Sequence, residues 1–190
     1  GDNSEVIFPL GHDLFRVVED ARYPVTEGKK YGIRNGKGKT IVPATYSSNS
    51  DFSNPCKTFK INDKIYILIL QDNDIHIFNS KGKAIVKKSF SNVVNNFITG
   101  FKQVYDLILI KADGKYLLMN IKGNIQLEAE EIKIIDQNSP LCIIKKDSNY
   151  QLWDLSTNSS ILKDYDKIKL QSKQIIFLEK DGLSRVIKLK

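Results

Sequence analysis

A segment of thirteen residues recurs four times along the chain, and this repetition limits the possible folds more than any other feature of the sequence. Each copy has two apolar runs of strand length separated by a short polar pair. The copies align without gaps at residues 66–78, 107–119, 141–153 and 175–187. Their starts are 41, 34 and 34 residues apart. Such a period is typical of proteins built from stacked supersecondary units.

The polar pair of each copy has the residue types of a two-residue hairpin turn. The four pairs are Asp72-Asn73, Asp113-Gly114, Asp147-Ser148 and Asp181-Gly182. Such turns need positive φ angles, which Gly and Asn adopt readily, Asp less readily and β-branched residues hardly at all. The pattern therefore predicts one β-hairpin in each copy. One position of the second strand is aliphatic throughout and is expected to face the core: Ile77, Leu118, Leu152 and Val186.

A second turn and a third strand follow the hairpins. The turn begins with Asn35, Asn79 or Asn120 and carries Gly38, Gly82 or Gly123 three residues later. Asn and Gly are favoured at the start and at the left-handed position of such loops. In a further copy the turn begins at Asp154, and Asn158 is expected to take the left-handed position. The third strands are predicted at residues 40–46, 84–90, 124–130 and 159–165.

These features predict an all-β fold made of tandem units of three to four strands. Five units are expected, at residues 11–59, 60–104, 105–139, 140–173 and 174–190, the last one completed by the strand at 5–10. A strand missing at one end and a spare strand at the other favour a closed, five-bladed, propeller-like ring. An open β-solenoid or twisted β-roll is the alternative. The whole chain, 1–190, is expected to form a single domain.

The best-preserved copy is residues 31–46. It has a Tyr-Gly pair, an aliphatic residue, a Lys-Gly-Lys turn, an apolar pair followed by proline, and a later tyrosine: Tyr31, Gly32, Ile33, Lys37, Gly38, Lys39, Ile41, Val42, Pro43 and Tyr46. This segment resembles the bacterial WG repeat, and the other copies resemble it as degenerate repeats. The resemblance implies a tandem β-rich array without an assigned activity. It also implies export in a bacterium, to the periplasm, to the cell surface or as a lipoprotein.

Motifs for catalysis or metal binding are absent from the sequence. His12 and His76 are the only imidazoles, and His76 is expected to point outward, at least in part, from its strand. The lysine- and glycine-rich residues 29–46 lack the spacing and the following helix of a phosphate-binding loop. Cys56 and Cys142 are 86 residues apart without CxxC spacing, so no zinc site is expected. Whether they pair is left open. We therefore expect a protein that is not an enzyme and has no cofactor.

The charge balance points to acidic partners. Lys and Arg outnumber Asp and Glu by 29 to 22, which gives a formal net charge of +7. Five lysines in the second turns form the candidate polyanion-binding set: Lys37, Lys39, Lys81, Lys83 and Lys122. Aromatic residues do not alternate with these lysines, which disfavours nucleic acid as the ligand. No apolar run reaches the length of about 18 residues that spans a bilayer.

Together, the patterns predict a non-catalytic binding module that presents loops to a protein or to a cell-surface polymer. Polyanion binding through the turn lysines is the first alternative. A propeller-type hydrolase with loop carboxylates is a less favoured one. The sequence leaves the specific ligand and the oligomeric state open.

Overall fold

The computed structural model of the protein consists of antiparallel β-sheets. It describes residues 5–19, 29–47, 56–93, 101–136 and 139–189, and for 101–103 it describes the backbone alone. The described residues form nineteen strands and no helix, which confirms the predicted all-β class. Accordingly, none of them belongs to a helix long and apolar enough to cross a membrane.

The strands form five sheets, and strands that follow each other within a sheet pair side by side. Sheet 1 contains β1 (Val6–Gly11), β2 (Leu14–Val18), β3 (Lys30–Asn35) and β4 (Thr40–Ser47). Sheet 2 contains β5 (Cys56–Ile61), β6 (Lys64–Gln71), β7 (Asp74–Asn79) and β8 (Ala84–Ser89). Sheet 3 contains β9 (Phe101–Val104), β10 (Leu107–Ala112), β11 (Lys115–Met119) and β12 (Ile125–Ala129).

The remaining strands form two more sheets. Sheet 4 contains β13 (Glu131–Ile134), β14 (Leu141–Lys146), β15 (Asn149–Asp154) and β16 (Ser159–Tyr165). Sheet 5 has three strands: β17 (Lys167–Ser172), β18 (Ile175–Lys180) and β19 (Leu183–Lys188).

The predicted turns are present. The turn aspartates Asp72, Asp113, Asp147 and Asp181 have φ angles between 51° and 56°, as the hairpin interpretation requires. In the second turns, Gly38, Gly82, Gly123 and Asn158 are left-handed, with φ angles of 77°, 83°, 84° and 50°. These residues hold the turn positions that the sequence assigned to them.

The predicted unit boundaries are wrong by one strand. Each sheet begins with the strand that precedes the predicted hairpin: β1, β5, β9, β13 and β17. The prediction that residues 5–10 complete the last unit is also wrong, because β1 pairs with β2, with Val6 opposite Val18. A short left-handed turn, such as His12-Asp13 or Asn62-Asp63, joins this extra strand to the predicted hairpin.

The aliphatic position predicted for the second strand of each hairpin, which is the third strand of each sheet, is buried in three of the four sheets. Ile77, Leu118 and Leu152 are at most 1% exposed, whereas Val186 is 58% exposed. Leu118 of sheet 3 packs in a cluster with Cys142 of sheet 4. Leu152 of sheet 4 packs in a cluster with Ile168 of sheet 5. No sheet follows β19 among the described residues. The prediction that Val186 faces the core is therefore wrong, since this position packs against a following sheet.

The chain divides into two compact units. Unit 1 comprises Gly1–Gly100 with Ile121–Gly123, and unit 2 comprises Phe101–Asn120 with Asn124–Lys190. In unit 1, one core cluster joins sheets 1 and 2 through residues such as Ile33 and Ile67. In unit 2, one cluster joins sheets 3 and 4, and another joins sheets 4 and 5. The sequence-based assignment of all residues to one domain stays a prediction, as does the closed ring.

Candidate binding surfaces

The backbone of the turn between β3 and β4 is held by hydrogen bonds, and its lysines are exposed. The Asn35 side-chain oxygen accepts hydrogen bonds from the backbone N–H groups of Lys37 (3.1 Å) and Lys39 (3.0 Å). The backbone adds bonds from the Asn35 N–H to the Lys39 carbonyl and from the Gly38 N–H to the Asn35 carbonyl. The lysine side chains take no part in holding this turn and are exposed.

The turn between β7 and β8 repeats this arrangement. Asn79 accepts from the backbone N–H groups of Lys81 and Lys83, both at 3.0 Å. In the third turn Asn120 accepts from the N–H of Asn124 at 3.1 Å, and Lys122 is exposed. The same Asn and Gly chemistry therefore presents lysines at equivalent places of successive sheets.

Unit 1 places two of these turns beside each other. A Cβ atom added to Gly82 would lie 1.9 Å from the carbonyl oxygen of Ile41, so the second turn rests directly on β4. Lys39 is the last residue of the first turn, and Ile41 follows it by two residues. Lys37, Lys39, Lys81 and Lys83 form no ion pair with any carboxylate of the described residues. We call these four residues the turn lysines.

Another group of lysines was missed by the sequence analysis. Lys133, Lys145, Lys167 and Lys169 line a cleft in unit 2, on β13, β14 and β17. None of them lies in a recurring turn. The available sequence signal was the alternation of Lys167 and Lys169 along one strand, which places both side chains on the same face.

Two carboxylates of the described residues, those of Asp74 and Asp154, have lowered pKa values. No three His, Cys, Asp or Glu side chains among those residues are arranged to hold a metal ion. Hydrogen bonds from Ser89 and Lys87 hold the pKa of Asp74 below its ordinary value. Hydrogen bonds from Ser156 do the same for the pKa of Asp154. A general acid needs a raised pKa, so neither group is suited to that role at neutral pH.

His76 lies at the junction of sheets 1 and 2. Its Nδ1 atom is 3.1 Å from the hydroxyl oxygen of Tyr46, and its ring stacks on Phe78 with a centroid distance of 6.4 Å. Burial lowers the pKa of His76. The prediction of a partly outward side chain fits its intermediate exposure. The sequence did not predict the partner on sheet 1.

The aromatic residues of β15 pack on its two faces, because successive side chains of a strand point to opposite faces. Tyr150 lies with Leu152 against the cluster shared with sheet 5, and Trp153 lies against the cluster shared with sheet 3. Both faces of sheet 4 are thus covered inside unit 2. These aromatic side chains therefore contribute to the packing between neighbouring sheets of unit 2.

The two cysteines are free and fully buried. Cys56 belongs to the cluster of unit 1 and Cys142 to a cluster of unit 2. Burial raises the pKa of each thiol to about 12. Both cysteines are therefore core residues.

Among known proteins, this chain is similar only in fold, and only to solved structures. No family model matches the chain, and no curated protein matches it. Similar structures include KlHsv2 with loop 6CD replaced by a Gly-Ser linker (13% identity, TM-score 0.44) and the Dos1 propeller (8%, 0.41). A third is BBS1N in complex with ARL6DN, soaked with lead (10%, 0.40).

The similarity spans nearly all of this chain and part of the others. It covers 97%, 96% and 97% of this chain, and 63%, 54% and 66% of the KlHsv2, Dos1 and BBS1N chains. The chain thus spans less than two thirds of their length. Identities and TM-scores this low give no information about what this chain binds.

Proposed function

We propose that this chain is a non-catalytic β-repeat module that binds an acidic polymer through the turn lysines. The supporting observation is the pair of adjacent, hydrogen-bonded turns in unit 1 that present four lysine side chains without an ion pair to any described carboxylate. Ammonium groups repeated along one edge suit a ligand whose negative charges also repeat.

The rigid backbone supports this function in a second way. Because Asn35 and Asn79 already fix the turn backbone, binding does not have to order the loop. Less conformational entropy is then lost on association than with a mobile loop. The four side chains still lose rotamer freedom, so each contact is expected to be weak and the affinity to come from their number.

The proposal extends to the origin of the module. The resemblance of residues 31–46 to the WG repeat supports a bacterial repeat protein that is exported and meets a cell-surface polymer. A protein partner with an acidic surface is the other candidate ligand, and the same lysines would serve it.

Heparin chromatography tests the proposal, with heparin as the acidic polymer. One variant carries Lys37→Glu, Lys39→Glu, Lys81→Glu and Lys83→Glu. The control carries the same change at four exposed lysines outside the turns, Lys64, Lys146, Lys163 and Lys188. Each variant changes the net charge by −8, from +7 to −1. Any difference between them therefore reflects position and not total charge.

We expect the turn variant to elute at clearly lower salt than the control. The dependence of log affinity on log salt should fall by about 1 for each lysine that contacts the polymer. Equal elution of the two variants, or a wild-type protein that heparin does not retain, would overturn the proposal. Circular dichroism confirms that both variants are folded.

A further inference from the structure

Sheets that pack on each other inside a unit bury the same two positions. One is the aliphatic position on the third strand of the earlier sheet, and the other is on the first strand of the next sheet. Three core clusters contain such a pair: Ile33 with Cys56, Leu118 with Ile132, and Leu152 with Ile168. All six residues are at most 7% exposed. Sheets within a unit therefore pack by one repeated arrangement.

Val186 and Ile7 occupy these two positions but are exposed. Val186 lies on β19 at the position equivalent to Leu152, and Ile7 lies on β1 at the position equivalent to Cys56. Val186 is 58% exposed and Ile7 is 57% exposed. Sheet 5 thus presents one half of the repeated packing arrangement, and sheet 1 presents the other half.

The face of sheet 5 that carries Val186 is apolar at its centre. Phe177 pairs with Val186 across β18 and β19, so both side chains lie on this face, which we call the open face of sheet 5. Ile175 comes two residues before Phe177, shares the face and is 36% exposed. In sheet 4 the residue equivalent to Phe177 is Ile143, which is 2% exposed in the cluster with sheet 5. The open face of sheet 5 therefore has the apolar residues of a face that another sheet covers.

The face of sheet 1 that carries Ile7 contains an apolar groove. Ile7 pairs with Val17 across β1 and β2, and we call their shared face the open face of sheet 1. Ile7, Phe15 and Val17 line the groove, which has a volume of about 250 Å³ and ends at Arg34 and the turn after β3. Val17 is buried, whereas Phe15 is partly exposed. The groove has room for a large apolar side chain such as that of Phe177.

The charged residues around the two open faces favour contact between sheet 5 and sheet 1. Strand alternation places three lysines and one carboxylate on the open face of sheet 5: Lys167, Lys169, Lys188 and Glu179. Two such faces would bring six lysines together with only two carboxylates. The open face of sheet 1 has equal numbers of both signs: Glu5, Glu19, Lys30 and Arg34. Sheet 1 is thus the better electrostatic match for sheet 5.

We propose that the open face of sheet 5 in one copy of this chain binds the open face of sheet 1 in a second copy. Val186 then contacts Ile7, and Phe177 enters the groove beside Val17, as the equivalent residues pack between sheets 4 and 5. Two different faces meet, so each bound copy keeps one further face for binding. Association therefore continues into longer chains of copies or closes into a ring of copies. This self-association does not depend on polymer binding by the turn lysines.

Sedimentation velocity of the full chain at increasing protein concentration tests the proposal. We expect the mean mass to rise with concentration and to exceed that of a dimer. Val186→Glu and Ile7→Glu should each weaken association at least about tenfold, because each would bury an unpaired carboxylate. Ile161→Glu is the matched control. Ile161 is 52% exposed on β16, outside both open faces, so this variant should associate like the wild type.

A mixture of the two weakened variants distinguishes contact between different faces from contact between identical ones. The Ile7→Glu variant keeps the open face of sheet 5, and the Val186→Glu variant keeps that of sheet 1. An equimolar mixture should therefore form dimers and nothing larger, although each variant alone is monomeric. A mixture that stays monomeric, or equal weakening by Ile161→Glu, would overturn the contact between sheet 5 and sheet 1.

Cross-linking with a short bismaleimide tests which positions meet. One variant carries Ile7→Cys and another carries Val186→Cys, and the two native thiols are buried. A mixture of the variants should give a cross-linked dimer much faster than either variant alone. Equally fast linking within one variant would overturn the pairing of these positions. A wild-type chain that stays monomeric, with a Val186→Cys thiol that does not react, would mean that the face is covered within one chain. That result would overturn the second copy as its partner, whatever the heparin experiment shows.

Discussion

Tyr46 brings a polar contact into the core that sheets 1 and 2 share. Its ring meets that of Phe78 edge-on, with the centroids 6.2 Å apart, and its hydroxyl oxygen lies 3.1 Å from His76 Nδ1. A buried hydroxyl without a partner would destabilise the fold. His76 supplies that partner and is therefore a structural residue at the junction of the two sheets.

We expect the free energy of unfolding to decrease as the pH falls from about 7.5 to about 5, in part because of His76. Burial lowers its pKa in the folded protein, and the Lys87 charge acts in the same direction, while Asp74 opposes both. In the unfolded chain His titrates near about 6.5. The unfolded state thus binds the proton more readily. Stability is complete above that pH and is lost as the pH falls towards the folded-state pKa.

Urea unfolding at several pH values measures this effect, with His76→Gln as the control. Gln cannot titrate, so the variant should lose less stability than the wild type over the same pH interval. The other titrating groups are common to both proteins and cancel in the difference. Identical pH dependence in the two proteins would contradict the assignment.

The role of His76 illustrates what the sequence can show for a single residue. The mixed residue types at its position of the repeat predicted a partly outward side chain, and its intermediate exposure agrees. Tyr46 comes 30 residues earlier, on another sheet. A pattern within one repeat has no information about a contact between repeats, so this hydrogen bond could not be predicted.

At the scale of the strand and the turn, Gly38 and Gly82 have the same conformation in different surroundings. Their φ angles are 77° and 83°. A Cβ atom on Gly38 would have no atom within 4 Å, whereas one on Gly82 would collide with the backbone of Ile41. Gly38 is therefore needed for its dihedral angles alone, and Gly82 is needed for packing as well.

We expect Gly38→Ala to lower the free energy of unfolding by about 1–2 kcal/mol, the cost of a left-handed alanine. Gly82→Ala should cost about 1–3 kcal/mol more, because the second turn would have to move away from β4. Urea unfolding of the two variants measures the difference, since each serves as the control for the other. Equal losses would contradict the close packing of the second turn on sheet 1.

Hairpins inside the recurring segments were predictable, and hairpins outside them were not. Asp-Gly between two apolar runs is a strong signal, and the turns at Asp113 and Asp181 were found from it. Asn62-Asp63 lacks glycine and lies outside the aligned segments, although both of its residues are left-handed. Each sheet was therefore predicted without its first strand.

At the scale of the whole molecule, the lysine-lined cleft was not predictable from the sequence. Lys133 and Lys169 are equivalent residues in the first strands of sheets 4 and 5, but these first strands lie outside the aligned segments. The cleft depends on how sheet 4 packs on sheet 5 through buried residues such as Ile143 and Ile168. The turn lysines, in contrast, follow directly from the repeat, because equivalent turns lie at equivalent places.

The two cysteines allow the units to be followed separately. Burial raises the pKa of both thiols to about 12, so little thiolate is present at pH 8 and reagents cannot reach the sulfur atoms in the folded protein. We expect Cys142→Ala, which retains Cys56, and Cys56→Ala, which retains Cys142, to react with a disulfide reagent only after denaturant is added. Fast reaction of either thiol without denaturant would contradict this prediction.

The same single-cysteine variants test the predicted single domain. Cys56 lies in the core cluster of unit 1 and Cys142 in a core cluster of unit 2. If residues 1–190 unfold cooperatively, the denaturant concentration at which each thiol becomes reactive should agree with the midpoint of circular dichroism for the same variant. A thiol that reacts well below that midpoint would mean that its unit opens by itself, as expected for a repeat array in which each sheet is stabilised by its neighbours.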